Sequence, residues 1–326
     1  MYTEDELASA VAAGVLSEEA ASRFRQHVAT LRRTAAVDEE QVRLLTGFND
    51  VFVVIASGLL LGAVYWMGLG IAAWAGPLLM GLIAWGLAEF FTRRRRMALP
   101  SVALLLAFTA GASGAVFAVQ GWTPLVAGVA AVACWIHWTR FRVPITIAVG
   151  VGSAVACLVS TLTVITPAAS NWVSAMVLLA GLATFGLAMS WDSLDKQRVT
   201  SRSDVAFWLH LLAAPMVVHP IFSEIGLFDS EQSTSTAVVV IGIYIAISVV
   251  SLVVDRRALM VSSLAYVGYA FIIILQQYGT VSLAFAATAL TLGSALLLLS
   301  AFWNVCRAGA LRLFPTRIRT YLPGLH

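Results

Sequence analysis

Two histidines and two prolines share one apolar stretch of this chain, Trp208-Leu209-His210-Leu211-Leu212-Ala213-Ala214-Pro215-Met216-Val217-Val218-His219-Pro220. An imidazole can hold or pass a proton near neutral pH. A proline inside a helix removes one backbone hydrogen bond and frees a carbonyl. His210, Pro215 and His219 are therefore the first candidates for a gate or a proton path. The histidines are nine residues apart, about 13 Å along a helix and on opposite faces. They cannot share a metal ion unless the helix breaks at Pro215. A neutral His210 bonded to a neighbouring helix is the plainer reading of the same residue.

Other groups able to do chemistry are few. Glu89 precedes the run Arg93-Arg94-Arg95-Arg96 and can pair with Arg93 four residues on. Asp50, Asp192 and Asp255 fall at the ends of apolar stretches, where water can solvate them. Gln120, Asn171, Gln276 and Gln277 mark the opposite ends and are candidates for an outward-facing vestibule, or for interfacial residues satisfied by water. The three cysteines, Cys134, Cys157 and Cys306, have no CxxC spacing, and the five histidines have no HxH or HExxH spacing. No metal site, cofactor or disulfide framework is expected. There is no Walker loop, no GxSxG elbow and no acidic cluster, so phosphoryl transfer, hydrolysis and metal catalysis lack their usual residues. The expectation is a protein that is not an enzyme.

The elements that must position these groups follow from composition. Of 326 residues, 60% are hydrophobic and only 11% charged, against about 25% charged in soluble domains. Mean hydropathy is +0.88. A water-soluble globule is excluded. A membrane-spanning helix needs about 20 apolar residues. Ten such stretches can be drawn, at 51–68, 71–91, 98–119, 123–139, 143–165, 171–191, 205–222, 236–254, 258–276 and 280–302. With the N-terminus in the cytoplasm, all 20 lysines and arginines fall on the cytoplasmic side. That partition is the positive-inside rule at its limit. Trp122 and Trp138 bracket the fourth stretch and Trp172 and Trp191 the sixth, as interfacial anchors.

The expected fold is thus an all-α, polytopic membrane bundle of about ten helices, N-in and C-in. Residues 1–50 form a cytoplasmic helical head, 51–303 the transmembrane domain and 304–326 a basic interfacial tail. Residues 78–88 and 178–188 are identical at seven of eleven positions. That suggests a parallel repeat of four helices, stretches one to four and five to eight, because an even-numbered unit keeps its orientation. Gly58 and Gly62, and the pairs Gly81/Gly86 and Gly181/Gly186, are positions where helices can approach closely.

In the head, Thr3 to Glu6 is a capping box opening a short helix that Gly14 can stop. Ser17-Glu18-Glu19-Ala20 opens a second, with Ala20, Phe24, Val28 and Leu31 at helical spacing. The two predict a helical hairpin, followed by a third amphipathic stretch from Asp38 to about Asn49. The head carries 5 arginines and 9 acidic residues, which opposes nucleic-acid binding. The stretch AVAAGVLSEEAASRF, with a linker and consecutive apolar helices after it, resembles the bacterial membrane proteins grouped as the DUF2157 family. That resemblance rests on residues 5–24 and the general layout. It implies a bacterial inner-membrane location and supplies no activity, substrate or site residue.

Two functions fit. One is a transporter or permease for a small or lipidic molecule. The other is a non-catalytic scaffold or sensor whose head binds a cytoplasmic protein. The bilayer itself is an expected partner: Arg93, Arg94, Arg95, Arg96, Arg312, Arg317 and Arg319 are placed to contact an anionic inner leaflet. Self-association is a further expectation.

Overall fold

The computed structural model describes residues 4–24, 48–194, 201–225, 234–256, 258–277 and 281–312. The chain divides into two units, Met1–Val42 and Arg43–Leu325. Among the described residues every regular element is a helix.

In the first unit, α1 (Glu4–Ala12) ends at Gly14, whose φ of 70° is the left-handed geometry that suits glycine at a helix stop. A second helix, α2 (18–24), follows. Ser17 caps it, its hydroxyl accepting the Ala20 N–H at 3.1 Å. Leu7 and Ala21 are buried. The two expected head helices are therefore present. Thr3, Val28, Leu31 and most of the third amphipathic stretch lie outside the described residues.

The second unit contains α3 (Phe48–Leu69), α4 (Ala75–Ala88), α5 (Ala98–Gln120), α6 (Thr123–Phe141) and α7 (Ile145–Ile165). It continues with α8 (Val173–Leu194), α9 (Ser201–Glu224), α10 (Thr234–Val254), α11 (Ala258–Gln277), α12 (Val281–Ala301) and α13 (Trp303–Arg312). A π-helical turn, Glu89–Arg94, prolongs α4. Six of the described helices are long and apolar enough to cross a membrane: Phe48–Leu69, Ala75–Arg94, Ala98–Gln120, Ile145–Ile165, Pro167–Leu194 and Ser201–Glu224. These helices fit a membrane protein. Large apolar side chains such as Phe52, Leu59, Leu82, Val132, Leu158 and Leu179 point away from the protein, an arrangement that water would penalise and lipid does not.

Without a hydrophobic force between helices in lipid, close backbone approach decides packing. A Cβ on Gly111 of α5 would stand 2.6 Å from the Pro77 carbonyl oxygen and 2.7 Å from the Gly81 Cα, so α4 and α5 meet backbone to backbone. A Cβ on Gly181 of α8 would stand 2.9 Å from Met216 of α9. Met216 is also where Pro220, four residues on, has no N–H to return to the helix. Even so, α9 runs unbroken through Pro215 and Pro220. The other expected contact glycines behave differently. Gly58, Gly62, Gly86 and Gly186 have nothing within 4 Å of an added Cβ. They lie on faces turned away from neighbouring helices, so only one glycine of each repeated pair is a packing residue.

Candidate functional site

Asp192 lies in the last turn of α8, where the helix dipole places negative charge. Helix α10 ends at Val254, and Asp255 turns the chain with φ 59°. That turn sends Arg256 back against α8. Its guanidinium donates Nη2–H to Asp192 Oδ1 and Nε–H to Oδ2, the latter at 3.2 Å. This is the two-pronged fit of guanidinium to carboxylate. From α9, His210 Nε2 reaches the same Oδ2 at 3.0 Å. An ionised carboxylate only accepts, so the hydrogen between them sits on Nε2.

The three side chains are shut away from solvent: Asp192 is 5% exposed, His210 1% and Arg256 2%. The Phe185 ring stands edge-on to the imidazole, centroids 5.1 Å apart. Ala188, Val205 and Leu209 form the adjoining apolar wall, with Trp191 and Trp208 around it. The Ser251 hydroxyl donates to the Arg256 carbonyl and pins the turn. On the other side of that turn, Asp255 accepts the Trp303 indole N–H at 2.9 Å and lies 3.6 Å from the Arg307 guanidinium. Helix α13 thus holds the residue next to Arg256. With a neutral imidazole the centre carries no net charge, and one added proton would make it a buried cation.

This arrangement corrects two expectations. Asp192 is not a solvated helix end but the shared acceptor of a buried centre. Asp50 is 2% exposed and likewise buried. The plainer reading of His210, bonded to a neighbouring helix, is the one observed. His210 and His219 do lie on opposite faces: His219 is exposed, and its Nδ1 is 2.7 Å from the Tyr266 hydroxyl of α11. Pro215 is exposed as well. The three candidate gating residues are therefore not brought to one place.

The vestibule residues are also apart. Gln120 lines a shallow groove of about 310 Å³ with Trp74, Ala115, Val116, Val119 and Leu125. Asn171 is exposed in the turn Pro167–Trp172 and does not line that groove. The side chains of Gln276 and Gln277 lie outside the described residues, as do that of Arg312 and the whole of Arg317 and Arg319. Arg93, Arg94, Arg95 and Arg96 are exposed. Glu89 accepts from Arg93 at 3.3 Å, as expected, and also from Arg140 of α6, at 2.6 Å from Nε and 3.0 Å from Nη2.

Sequence reasoning missed a second buried histidine. His137 of α6 is fully buried, 3.3 Å from the Thr146 hydroxyl through Nδ1. The rings of Trp85, Phe108 and Phe141 surround it, with centroids between 4.6 and 6.2 Å away. Trp85 and Phe185 are matching positions of the repeated segment, and each packs edge-on to a buried imidazole. No group of three His, Cys, Asp or Glu side chains able to hold a metal occurs among the described residues.

No family model matches the chain, and no curated protein or solved structure matches it.

Proposed function

We propose that the protein is a permease-like carrier of a small or lipidic molecule in the bacterial inner membrane, crossing it ten times with both termini in the cytoplasm. The observation that carries this reading is the buried Asp192–His210–Arg256 centre. Ionisable groups between membrane helices are costly to bury, and an inert bundle has no need of them. The sequence offers no midplane carboxylate for coupling to protons; Asp192, in the last turn of α8, is a buried carboxylate in contact with an imidazole. No catalytic step is proposed. Two packing features support the parallel repeat: α3 packs on α4 and α5 as α7 packs on α8 and α9, and Gly81 and Gly181 each serve as a close-contact position. The likeness of residues 5–24 to the DUF2157 proteins agrees with the membrane assignment.

The test uses the full chain in proteoliposomes with two probes. One is translocation of a fluorescent phosphatidylglycerol, read by dithionite quenching. The other is uptake of labelled amino acids and organic acids, with trapped pyranine reporting proton entry. Either signal, at least threefold above empty liposomes and lost in His210→Ala, supports the carrier. Signals equal to empty liposomes in both assays overturn it. The scaffold or sensor reading would then stand, favoured by the head's forming a unit of its own. That reading predicts that removing residues 1–42 leaves the bundle folded and abolishes a co-purifying cytoplasmic protein.

A further inference from the structure

We infer that the ends of α4 and α6 together form a binding site for an anionic phospholipid headgroup. The inference is independent of the carrier reading and concerns a different part of the bundle.

The site is assembled by Glu89. Its carboxylate accepts from Arg93 in its own π-helical turn and from Arg140 on α6, 51 residues further along the chain. These bonds bring Arg93 and Arg140 onto one carboxylate, and with them the two short segments that carry Arg94–Arg96 and Arg142. Six arginines then stand against one carboxylate, a formal excess of five positive charges. Among the described residues no other ion pair involves any of the six.

Arg96 and Arg142 end their segments with φ of 52° and 55°. That left-handed conformation disfavours side chains bearing a Cβ, yet arginine occupies it in both loops. Arg94, Arg95, Arg96 and Arg142 are exposed, so their guanidiniums are accessible. Like charges gathered at neighbouring helix ends repel one another and attract a counter-ion.

The surroundings identify that counter-ion. Phe90, one residue after Glu89, is 42% exposed on a lipid-facing helix. The Arg95 guanidinium lies over its ring at 5.6 Å, so a cation and an exposed apolar ring stand side by side. A phosphate on the guanidiniums with acyl chains along Phe90 satisfies both parts. Basic clusters at the cytoplasmic ends of membrane helices are suited to such headgroups.

The experiment is native mass spectrometry of the full chain released from mild detergent, titrated with cardiolipin, phosphatidylglycerol and phosphatidylcholine. The expected result is one retained anionic lipid per chain, bound at least tenfold tighter than phosphatidylcholine. The triple variant Arg95→Gln/Arg96→Gln/Arg142→Gln should lose that preference. The control Lys196→Gln/Arg198→Gln, which removes basic residues between α8 and α9 in the chain, should keep it. Equal retention of phosphatidylcholine, or equal loss in the control variant, would overturn the site. So would displacement of the bound lipid by inorganic pyrophosphate at millimolar concentration, which would point to a soluble phosphate ligand. If the triple variant does not fold, the single change Arg142→Gln, on the α6 side alone, should still weaken anionic-lipid retention several-fold. Unchanged retention there would also overturn the two-loop site.

Discussion

Asp192 occupies a position that opposes a carboxylate twice over. It is buried, and it sits where α8 exposes its negative dipole end. Arg256 offsets both by offering two parallel donors, a geometry that lysine cannot reproduce. Removing one member strands the other in an apolar setting. Arg256→Met should therefore destabilise the protein by about 3–5 kcal/mol, the usual cost of breaking a buried pair. Asp192→Leu combined with Arg256→Met should cost far less, because no charge is then left uncompensated. Thermal unfolding in detergent, with a double-mutant cycle, checks this; a double variant as damaged as the sum of the singles would refute it. None of this was legible around residue 192. An aspartate at the end of an apolar stretch reads as solvated, and the group that buries it arrives 64 residues later. His210, in the middle of an apolar run, advertised its need for a partner. The partner's identity did not follow, because helix register between distant segments is set by packing.

At the scale of elements, the pairing of α8 with α9 rests on backbone contact at Gly181. A Cβ there would meet Met216 main-chain atoms, which have no freedom to move aside. Gly186, five residues on, faces open space. Gly181→Leu should therefore separate the two helices, pull His210 from Asp192 and abolish a monodisperse peak in size-exclusion chromatography. Gly186→Leu, equal in added volume, should leave both peak and melting temperature within a few degrees of the parent. Equal tolerance of both changes would show that this seam does not hold the helices. The repeated pattern showed that glycine matters in these segments and gave both positions equal weight. Which glycine faces a neighbour depends on the rotation of a whole helix about its axis. An apolar helix has too little amphipathic contrast to reveal that rotation, since lipid-facing and protein-facing side chains are alike in polarity. Helices α3–α12 fall on the ten apolar stretches drawn from the sequence, and six of the described helices are long and apolar enough to cross a membrane.

At the scale of the second unit, several charged side chains among the described residues join the ends of different helices. Glu89 at the end of α4 bonds Arg140 at the end of α6. Asp192 at the end of α8 bonds Arg256 just beyond α10, and Asp255 beside it takes the Trp303 indole as α13 begins. Within each set the bonded ends are separated by two helices in the chain. An even number of crossings between them is the only way to bring such ends together in a membrane. A helix that failed to cross would move one partner to the opposite face and break the ion pair. The electrostatic contacts thus support the same two-sided partition as the distribution of basic residues. The consequence is a labelling pattern. Single cysteines at Asn171 and Ser233, in a background with Cys134, Cys157 and Cys306 replaced, should react with a membrane-impermeant maleimide in intact right-side-out vesicles. Cysteines at Lys196 and Gly309 should react only after permeabilisation. Labelling of position 196 or 309 from outside would mean that the bundle crosses the membrane an odd number of times before that point, and the arrangement of ten crossings would fall.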